Sequence, residues 1–108
     1  VVADLPLEVI NGEECLDIAV TGGYASDLLS NVMGQAKPGN IWVTVQAHQN
    51  IVAVASLAGL AAVIIAGGMR PEKDTVAKAK KEGVVLIVSS LPAFEVVGLL
   101  YKMGISGL

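Results

Sequence analysis

The sequence predicts an α/β fold, a single layer-type domain with a mostly parallel sheet flanked by helices on both faces. Apolar, β-branched runs at residues 41–45, 61–66 and 84–88 are typical of strands buried on both sides of a parallel sheet. Segments with helical spacing separate these runs, as right-handed crossovers require. At 108 residues the chain has the length of one domain. We therefore expect one domain over residues 1–108, and the start at Val1 without Met suggests a piece cut from a longer chain.

The N-terminal part is predicted to contain two strands. Residues 5–10 form a short apolar run that ends at Asn11-Gly12, a pair that accepts positive φ and favours a turn. Residues 15–20 are predicted to form a second, more exposed strand. Gly22-Gly23 would close it, and glycine tolerates both positive φ and close contact by another backbone or a ligand. This pair therefore indicates either a tight turn or a loop that faces an anion.

A helix is predicted directly after the two glycines. Apolar side chains recur at helical spacing over residues 24–33. Ser26 and Asp27 would lie in the first turn of this helix, where they complement the helix dipole. The Pro-Gly pair within residues 37–40 predicts the exit turn.

The rest of the chain alternates between strand and helix. The predicted elements are a strand at 41–45, a helix at 49–57, a strand at 61–66, a helix between Pro71 and Gly83, a strand at 84–88 and a helix at 92–103. The helix after Pro71 has the clearest signals, because proline favours a first turn, acidic residues follow it, lysines come last and Gly83 ends it. Its surface is therefore expected to face solvent.

The composition predicts an oligomer. Hydrophobic residues make up 54% of the chain and charged residues 16%, whereas globular proteins average about 45–50% and about 25%. A monomer of this size has too little interior for that apolar surface, so we expect a homodimer in which a second copy covers part of it. The net charge of −3 argues against a nucleic-acid partner, which requires clustered Lys and Arg.

Two further observations concern location. Residues 51–69 carry no charge and are long enough for a membrane helix, but Gly59 interrupts them and no Lys or Arg directly flanks their N-terminal side. We predict two buried segments there and no membrane association. Cys15 is the only cysteine, which excludes an internal disulfide and suits a cytoplasmic location.

Polar and glycine residues are predicted to meet at one edge of the sheet, beyond the carboxyl ends of the strands, where open parallel sheets bind ligands. Gly67-Gly68 and Ser89-Ser90 end two of the predicted strands. The candidate ligand-binding residues at this edge are Thr21, Gly22, Gly23, Ser26, Asp27, His48, Gln49 and Asn50. The alternative is that these are ordinary loop residues, since loops are generally polar and rich in glycine.

Individual residues also have structural interpretations. His48, Gln49 and Asn50 can satisfy the backbone at a helix start, and Ser26 and Asp27 are common there.

No catalytic residue, metal site or cofactor is expected. The chain has one His and one Cys, which are too few for a metal site, and its residue spacing shows no nucleophile-base pair and no paired catalytic carboxylates. Trp42 is predicted to be core. Phe94, Val97, Leu100 and Tyr101 form a helical stripe that is either core or a dimer seam.

Three segments resemble the DRTGG domain family, and the likeness spans nearly the whole chain. They are TGGYASDLLS at residues 21–30, IWVTVQAHQN at 41–50 and AFE at 93–95. The family is named for an Asp-Arg-Thr-Gly-Gly motif. Thr-Gly-Gly is present here, but Ala19 and Val20 replace the acidic and basic residues, so a role for that ion pair does not carry over.

The resemblance implies a non-catalytic regulatory or dimerisation module. Similar domains stand alone, sometimes near iron hydrogenase genes, or lie beside nucleotide-sensing CBS domains in inorganic pyrophosphatases and phosphate acetyltransferases. The N-terminal part of HPr serine kinase is also likened to them, but phosphoryl transfer does not fit because the chain has no G-x-x-x-x-G-K-[ST] loop. We expect a module that senses a small metabolite or nucleotide. The alternative is an interaction domain that docks on a metabolic enzyme such as a hydrogenase system.

Overall fold

The computed structural model describes residues 7–11, 20–27 and 29–105 of the chain. The strands are β1 (Leu7–Asn11), β2 (Gly22–Ala25), β3 (Asn40–Thr44), β4 (Ala62–Ile65) and β5 (Leu86–Ser89). The helices are α1 (Leu29–Gln35), α2 (Asn50–Ala58), α3 (Lys73–Glu82) and α4 (Ala93–Lys102).

Among the described residues, the strands form one sheet in the order β1-β5-β4-β3-β2. Strands β2, β3, β4 and β5 are parallel to one another, whereas β1 pairs with β5 in antiparallel orientation. The predicted α/β class, with a mostly parallel sheet, is therefore confirmed.

Helices α1, α2 and α3 lie on one face of the sheet and α4 lies on the other. Successive strands from β2 to β5 are neighbours and step in one direction, so right-handed crossovers place all three connecting helices on the same side. The core is divided accordingly. Val32, Ile51 and Ala79 of the three helices belong to one apolar cluster, and Val96 and Leu100 of α4 belong to the other.

The interior strand β3 supplies side chains to both clusters. Trp42 is fully buried and packs in the cluster under the three helices, as predicted for a core residue. Ile41 and Val43 point the opposite way, into the cluster under α4. Alternation of this kind is how a strand covered on both faces is buried throughout, and each aliphatic side chain so buried contributes about 1.5–3 kcal/mol.

The predicted helix after Pro71 is confirmed as α3. Asp74 lies in its first turn and Lys80 and Lys81 in its last, so each charge complements the near end of the helix dipole. Gly83 is the C-cap, as predicted. The predicted elements from residue 41 onward fall within two residues of the observed ones.

The prediction for residues 22–27 is wrong. Gly22–Ala25 form β2, which pairs with β3 so that Tyr24 lies opposite Trp42, and α1 begins only at Leu29. The glycines therefore open a strand instead of closing one, and Ser26 and Asp27 precede the helix instead of forming its first turn. The physical reason is tertiary, since this short segment gains its ladder partners from β3.

Several predictions fall on residues outside the described ranges. Residues 15–19 of the predicted strand over 15–20 are one case, with Cys15 among them, whereas Val20 is described and belongs to no strand. The glycine of the Asn11-Gly12 turn is another. None of the helices within the described residues has the length and apolar character needed to cross a lipid bilayer.

Candidate functional site

The parallel strands end along one side of the sheet, which we call the carboxyl edge, and begin along the opposite side, which we call the amino edge. Asp27, Gln46, Gly68 and Ser90 follow the carboxyl ends of β2, β3, β4 and β5 in turn. Thr21 and the two glycines after it lie at the opposite edge, because β2 begins at Gly22. The expectation that Thr21, Gly22 and Gly23 join His48, Gln49 and Asn50 in one crevice is therefore wrong, and the reason is that these glycines lie within the strand.

Thr21 holds a turn at the amino edge. Its N–H donates to the carbonyl of Gly39 at 3.0 Å, and its hydroxyl lies 2.9 Å from the carbonyl oxygen of Pro38. The same hydroxyl is 3.2 Å from Oδ1 of the buried Asn40. Thr21 therefore binds the loop that precedes β3 to the start of β2.

Gly23 allows close packing of the chain that follows α4. A Cβ on Gly23 would stand 3.5 Å from Cγ2 of Ile105, so a larger side chain would press on this residue. This packing against Ile105 is structural, and ligand binding by Thr21, Gly22 and Gly23 stays a prediction.

Asp27 ties the carboxyl ends of β2 and β3 together. Its Oδ1 accepts hydrogen bonds from the Thr44 hydroxyl at 2.7 Å and from the Val45 N–H at 3.0 Å. The amide side chain of Gln46 donates to the Asp27 carbonyl, and the Gln46 N–H donates to the Thr44 hydroxyl at 3.2 Å. The Asp27 carboxylate thus accepts hydrogen bonds from the end of the neighbouring strand β3.

We expect Asp27→Ala to lower the free energy of unfolding by about 1–2 kcal/mol, because the buried Thr44 hydroxyl and the Val45 N–H both lose their acceptor. Asp27→Asn keeps an oxygen at Oδ1 and is expected to lose less than half of that. Urea denaturation of the two variants checks the prediction. Equal losses from both substitutions would show that the charge matters and the acceptor does not.

His48 and its neighbours form the start of α2. Nδ1 of His48 accepts a hydrogen bond from the Asn50 N–H at 3.2 Å, whereas Gln49, the N-cap residue, makes no side-chain capping bond. The structural interpretation of this cluster is therefore correct in kind, but His48 does the capping. His48 and Asn50 are exposed, and ligand contact by them stays a prediction.

A topological switch point lies between β4 and β5. The chain leaves β4 toward α3 on one face, and it leaves the neighbouring β5 toward α4 on the other. When two adjacent strands continue to helices on opposite faces of the sheet, a crevice opens between their connections, and α/β proteins bind ligands in such crevices. Here the two loops are also joined, since the N–H of Gly67 donates to the Leu91 carbonyl at 2.6 Å and that of Gly68 to the Ser89 carbonyl at 2.9 Å.

A cleft of about 410 Å³ lies beside these loops, between the ends of β4 and β5 and the start of β1; we call it the switch-point cleft. Gly68, Arg70, Ser90 and Glu8 are among its lining residues. Nη2 of Arg70 lies 3.1 Å from Oε2 of Glu8, and both side chains are about three-fifths exposed. The cleft therefore offers a guanidinium, a hydroxyl and, at Gly68, a position without a side chain.

This chemistry suits a phosphate group. Arg presents planar donors that match phosphate oxygens, and Gly68 leaves room for a bulky anion beside the guanidinium because it has no side chain. The carboxylate of Glu8 occupies the guanidinium, but an exposed pair of this kind is weak, about 0–1 kcal/mol, so a more highly charged ligand can displace it.

Sequence reasoning identified Gly68 and Ser90 at the carboxyl edge but missed Glu8 and Arg70. These two residues are 62 positions apart and lie on a strand and a loop that only the antiparallel pairing of β1 with β5 brings together. A lone Arg after Gly67-Gly68 was the available signal.

A family model for the DRTGG domain matches residues 1–103. Among solved structures, one similar chain is described as the CBS and DRTGG domains of the regulatory region of Clostridium perfringens pyrophosphatase complexed with activator, diadenosine tetraphosphate. The TM-score is 0.75 at 20% identity, and the match covers 87% of this chain and 41% of that one. This likeness shows the fold. A comparison with curated proteins found no significant match.

Proposed function

The chain belongs to the DRTGG domain family, and from this membership we propose that it is a non-catalytic regulatory module that binds a nucleotide or a similar phosphate-bearing metabolite. Two facts support a nucleotide in particular. The similar regulatory region from Clostridium perfringens was solved with diadenosine tetraphosphate, and the switch-point cleft carries an arginine close to Gly68, which has no side chain. The proposed module acts as a homodimer, which the 54% hydrophobic content favours.

The observation that carries this proposal is the position of Arg70 at the switch point. A phosphate that binds the guanidinium of Arg70 replaces the carboxylate of Glu8. Glu8 belongs to β1, the antiparallel edge strand, so the replacement removes one link between β1 and the loop after β4. The chain then has two arrangements, one with the ion pair between Arg70 and Glu8 and one without it. A ligand that binds the second arrangement more tightly than the first shifts the population toward the second. That shift is the proposed regulatory output.

We expect Arg70→Ala to weaken nucleotide binding about tenfold or more, since a charge-assisted hydrogen bond contributes about 1.5–3 kcal/mol. Glu8→Gln removes the competing carboxylate and is expected to strengthen binding by up to about fivefold, the equivalent of an exposed ion pair. Isothermal titration calorimetry with diadenosine tetraphosphate, ATP and inorganic phosphate measures both changes. Lys80→Ala, which removes an exposed cation from α3, is the matched control.

The Lys80→Ala control separates binding at the cleft from a general effect of charge, because a general effect weakens binding in both cation-removing variants. If Arg70→Ala and Lys80→Ala weaken binding equally, the nucleotide responds to the net charge of the chain and the cleft is not its site. If the wild-type chain binds none of the three ligands, the sensing proposal is wrong.

A second candidate is an interaction domain without a ligand of its own that docks on a metabolic enzyme such as a hydrogenase system. The observation in its favour is exposed apolar surface, with Leu57 77% and Phe94 85% accessible. Native mass spectrometry of the untagged chain from cell extract discriminates the two candidates. A retained small molecule favours the sensor, whereas a complex with an enzyme subunit and no small molecule favours docking.

A further inference from the structure

The outer face of α4 carries two rows of side chains with different chemistry. Phe94 and Tyr101 are seven residues apart, so they lie on one side of this face two turns from each other. They are 85% and 55% exposed. Glu95 and Lys102 are also seven residues apart and form the second row, rotated by about one third of a turn around the helix. Both of these charged residues are exposed.

Gly98 lies between the two rows, at the centre of the face. Glycine inside a helix is about 1 kcal/mol less favourable than alanine, so its presence there requires a reason. Within the described chain no reason is found, because a Cβ built on Gly98 meets nothing within 4 Å. A glycine on an exposed helix face does allow another backbone to approach closely.

The two charged residues of the second row do not pair with each other. Glu95 lies in the first turn of α4 and Lys102 in the last, too far apart along the helix to pair with each other. In the described part of the chain neither forms an ion pair; the salt bridge found there joins Arg70 and Glu8. A surface with one acid and one base at opposite ends of a row is complementary to the same row in reverse order.

A two-fold axis perpendicular to α4 and passing beside Gly98 reverses that order. The operation keeps each row on its own side and turns the second helix antiparallel. Glu95 then faces Lys102 of the partner subunit, Lys102 faces the partner's Glu95, and Phe94 faces the partner's Tyr101. Gly98 meets the partner's Gly98 at the crossing point.

The aromatic row also has a receiving surface. A groove of about 280 Å³ runs between β2 and α4, lined in part by Val97 and Tyr101 on this side of the helix. Its lining is largely apolar, and Phe94 of the partner subunit reaches the same end of the helix under the two-fold axis. The groove therefore provides an apolar site for a side chain that is otherwise the most exposed large apolar residue described.

We propose that α4 is the homodimer interface, with two copies of this helix packed antiparallel about Gly98. This inference rests on the homodimer of the proposed function and adds which surface forms it. The occupant is a second copy because both rows are self-complementary under one axis, and an unrelated partner has no need of that match. The apolar excess of the chain points to the same occupant.

Charge reversal tests the interface. We expect Glu95→Lys and Lys102→Glu each to weaken dimerisation about tenfold, since each creates two like-charge contacts across the axis. The double variant Glu95→Lys/Lys102→Glu restores the pairs in reverse and is expected to return to within about threefold of wild type. Sedimentation equilibrium of the full chain measures the dissociation constants, and far-UV circular dichroism checks that the helix content is kept.

Gly98→Gln supplies a second variant that does not act through misfolding. Glutamine is a better helix former than glycine, and the space around Gly98 is open within the described chain, so the monomer is expected to be as stable or more stable. The added side chain separates the two helices, and the dimer is expected to weaken about tenfold or more.

The outcomes are distinct. A dimer that follows the reversal and recovery pattern supports the interface. A dimer that ignores the charge reversals and Gly98→Gln forms elsewhere, which overturns the α4 assignment but leaves the homodimer intact. A wild-type chain that stays monomeric overturns both, while nucleotide binding at the switch-point cleft is decided separately by the Arg70 titration.

Discussion

Trp42→Ala is expected to lower the free energy of unfolding by about 3–5 kcal/mol, the range typical of deleting a buried large side chain. Trp42 is fully buried in the interior strand β3 and packs in the cluster that the helices α1, α2 and α3 share with the sheet. Its indole N–H also donates to the Ser26 carbonyl at 2.8 Å. The substitution therefore opens a cavity in the core and leaves a carbonyl at the end of β2 without its donor.

The measurement is urea denaturation followed by far-UV circular dichroism, since Trp42 is the only tryptophan and its removal abolishes the fluorescence signal. Trp42→Phe keeps most of the apolar volume but not the N–H, and is expected to lose about 1–3 kcal/mol. Leu57→Ala, at a residue 77% exposed, is the control and is expected to stay within about 0.5 kcal/mol. A loss below about 1 kcal/mol from Trp42→Ala would contradict the described core.

Trp42 illustrates what the sequence predicts well. The apolar run at residues 41–45 has the composition of a strand buried on both faces, and the observed β3 is shifted by one residue. The acidic start, basic end and terminal glycine of α3 are local signals that act within one or two turns. Elements of this kind are predictable because the physical cause of the structure lies in the segment itself.

The strand β2 illustrates the opposite case. Gly22 and Gly23 have low intrinsic preference for a strand, and the segment becomes one by pairing with Asn40 and Ile41. The cause lies 18 residues away along the chain, where no local pattern reports it. Because the glycines are predicted to close a strand, the sequence assigns them to the carboxyl edge of the sheet. They open a strand instead, so they lie at the amino edge.

The switch-point cleft depends on strand order in the same way. The sequence predicts that Gly68 and Ser90 follow strands, but not that these strands are neighbours whose connections part to opposite faces. Arg70 and Glu8 meet only after β1 adds to β5. When a site combines side chains from strands that are distant in sequence, the order of the strands must be known before those side chains can be assigned to one site. The edge of the sheet at which a ligand binds, by contrast, follows from the fold class alone.

The amino-edge turn gives the second large expected effect. We expect Gly39→Ala to lower the free energy of unfolding by about 2–4 kcal/mol, the sum of backbone strain and overpacking. Gly39 has a φ of +85°, and an added Cβ would stand 2.8 Å from both Cγ2 and Oγ1 of Thr21. The Thr21 side chain cannot turn away freely, because its hydroxyl is held at the Pro38 carbonyl.

Two variants separate these contributions. Gly68→Ala also introduces a side chain at positive φ, but nothing lies within 4 Å of its Cβ, so it measures backbone strain alone and is expected to lose about 1–2 kcal/mol. Thr21→Ala/Gly39→Ala removes the clashing atoms, and a double-mutant cycle is expected to return at least about 1 kcal/mol of coupling between the two residues. Additive losses would show that the Thr21 side chain does not determine the need for glycine at residue 39.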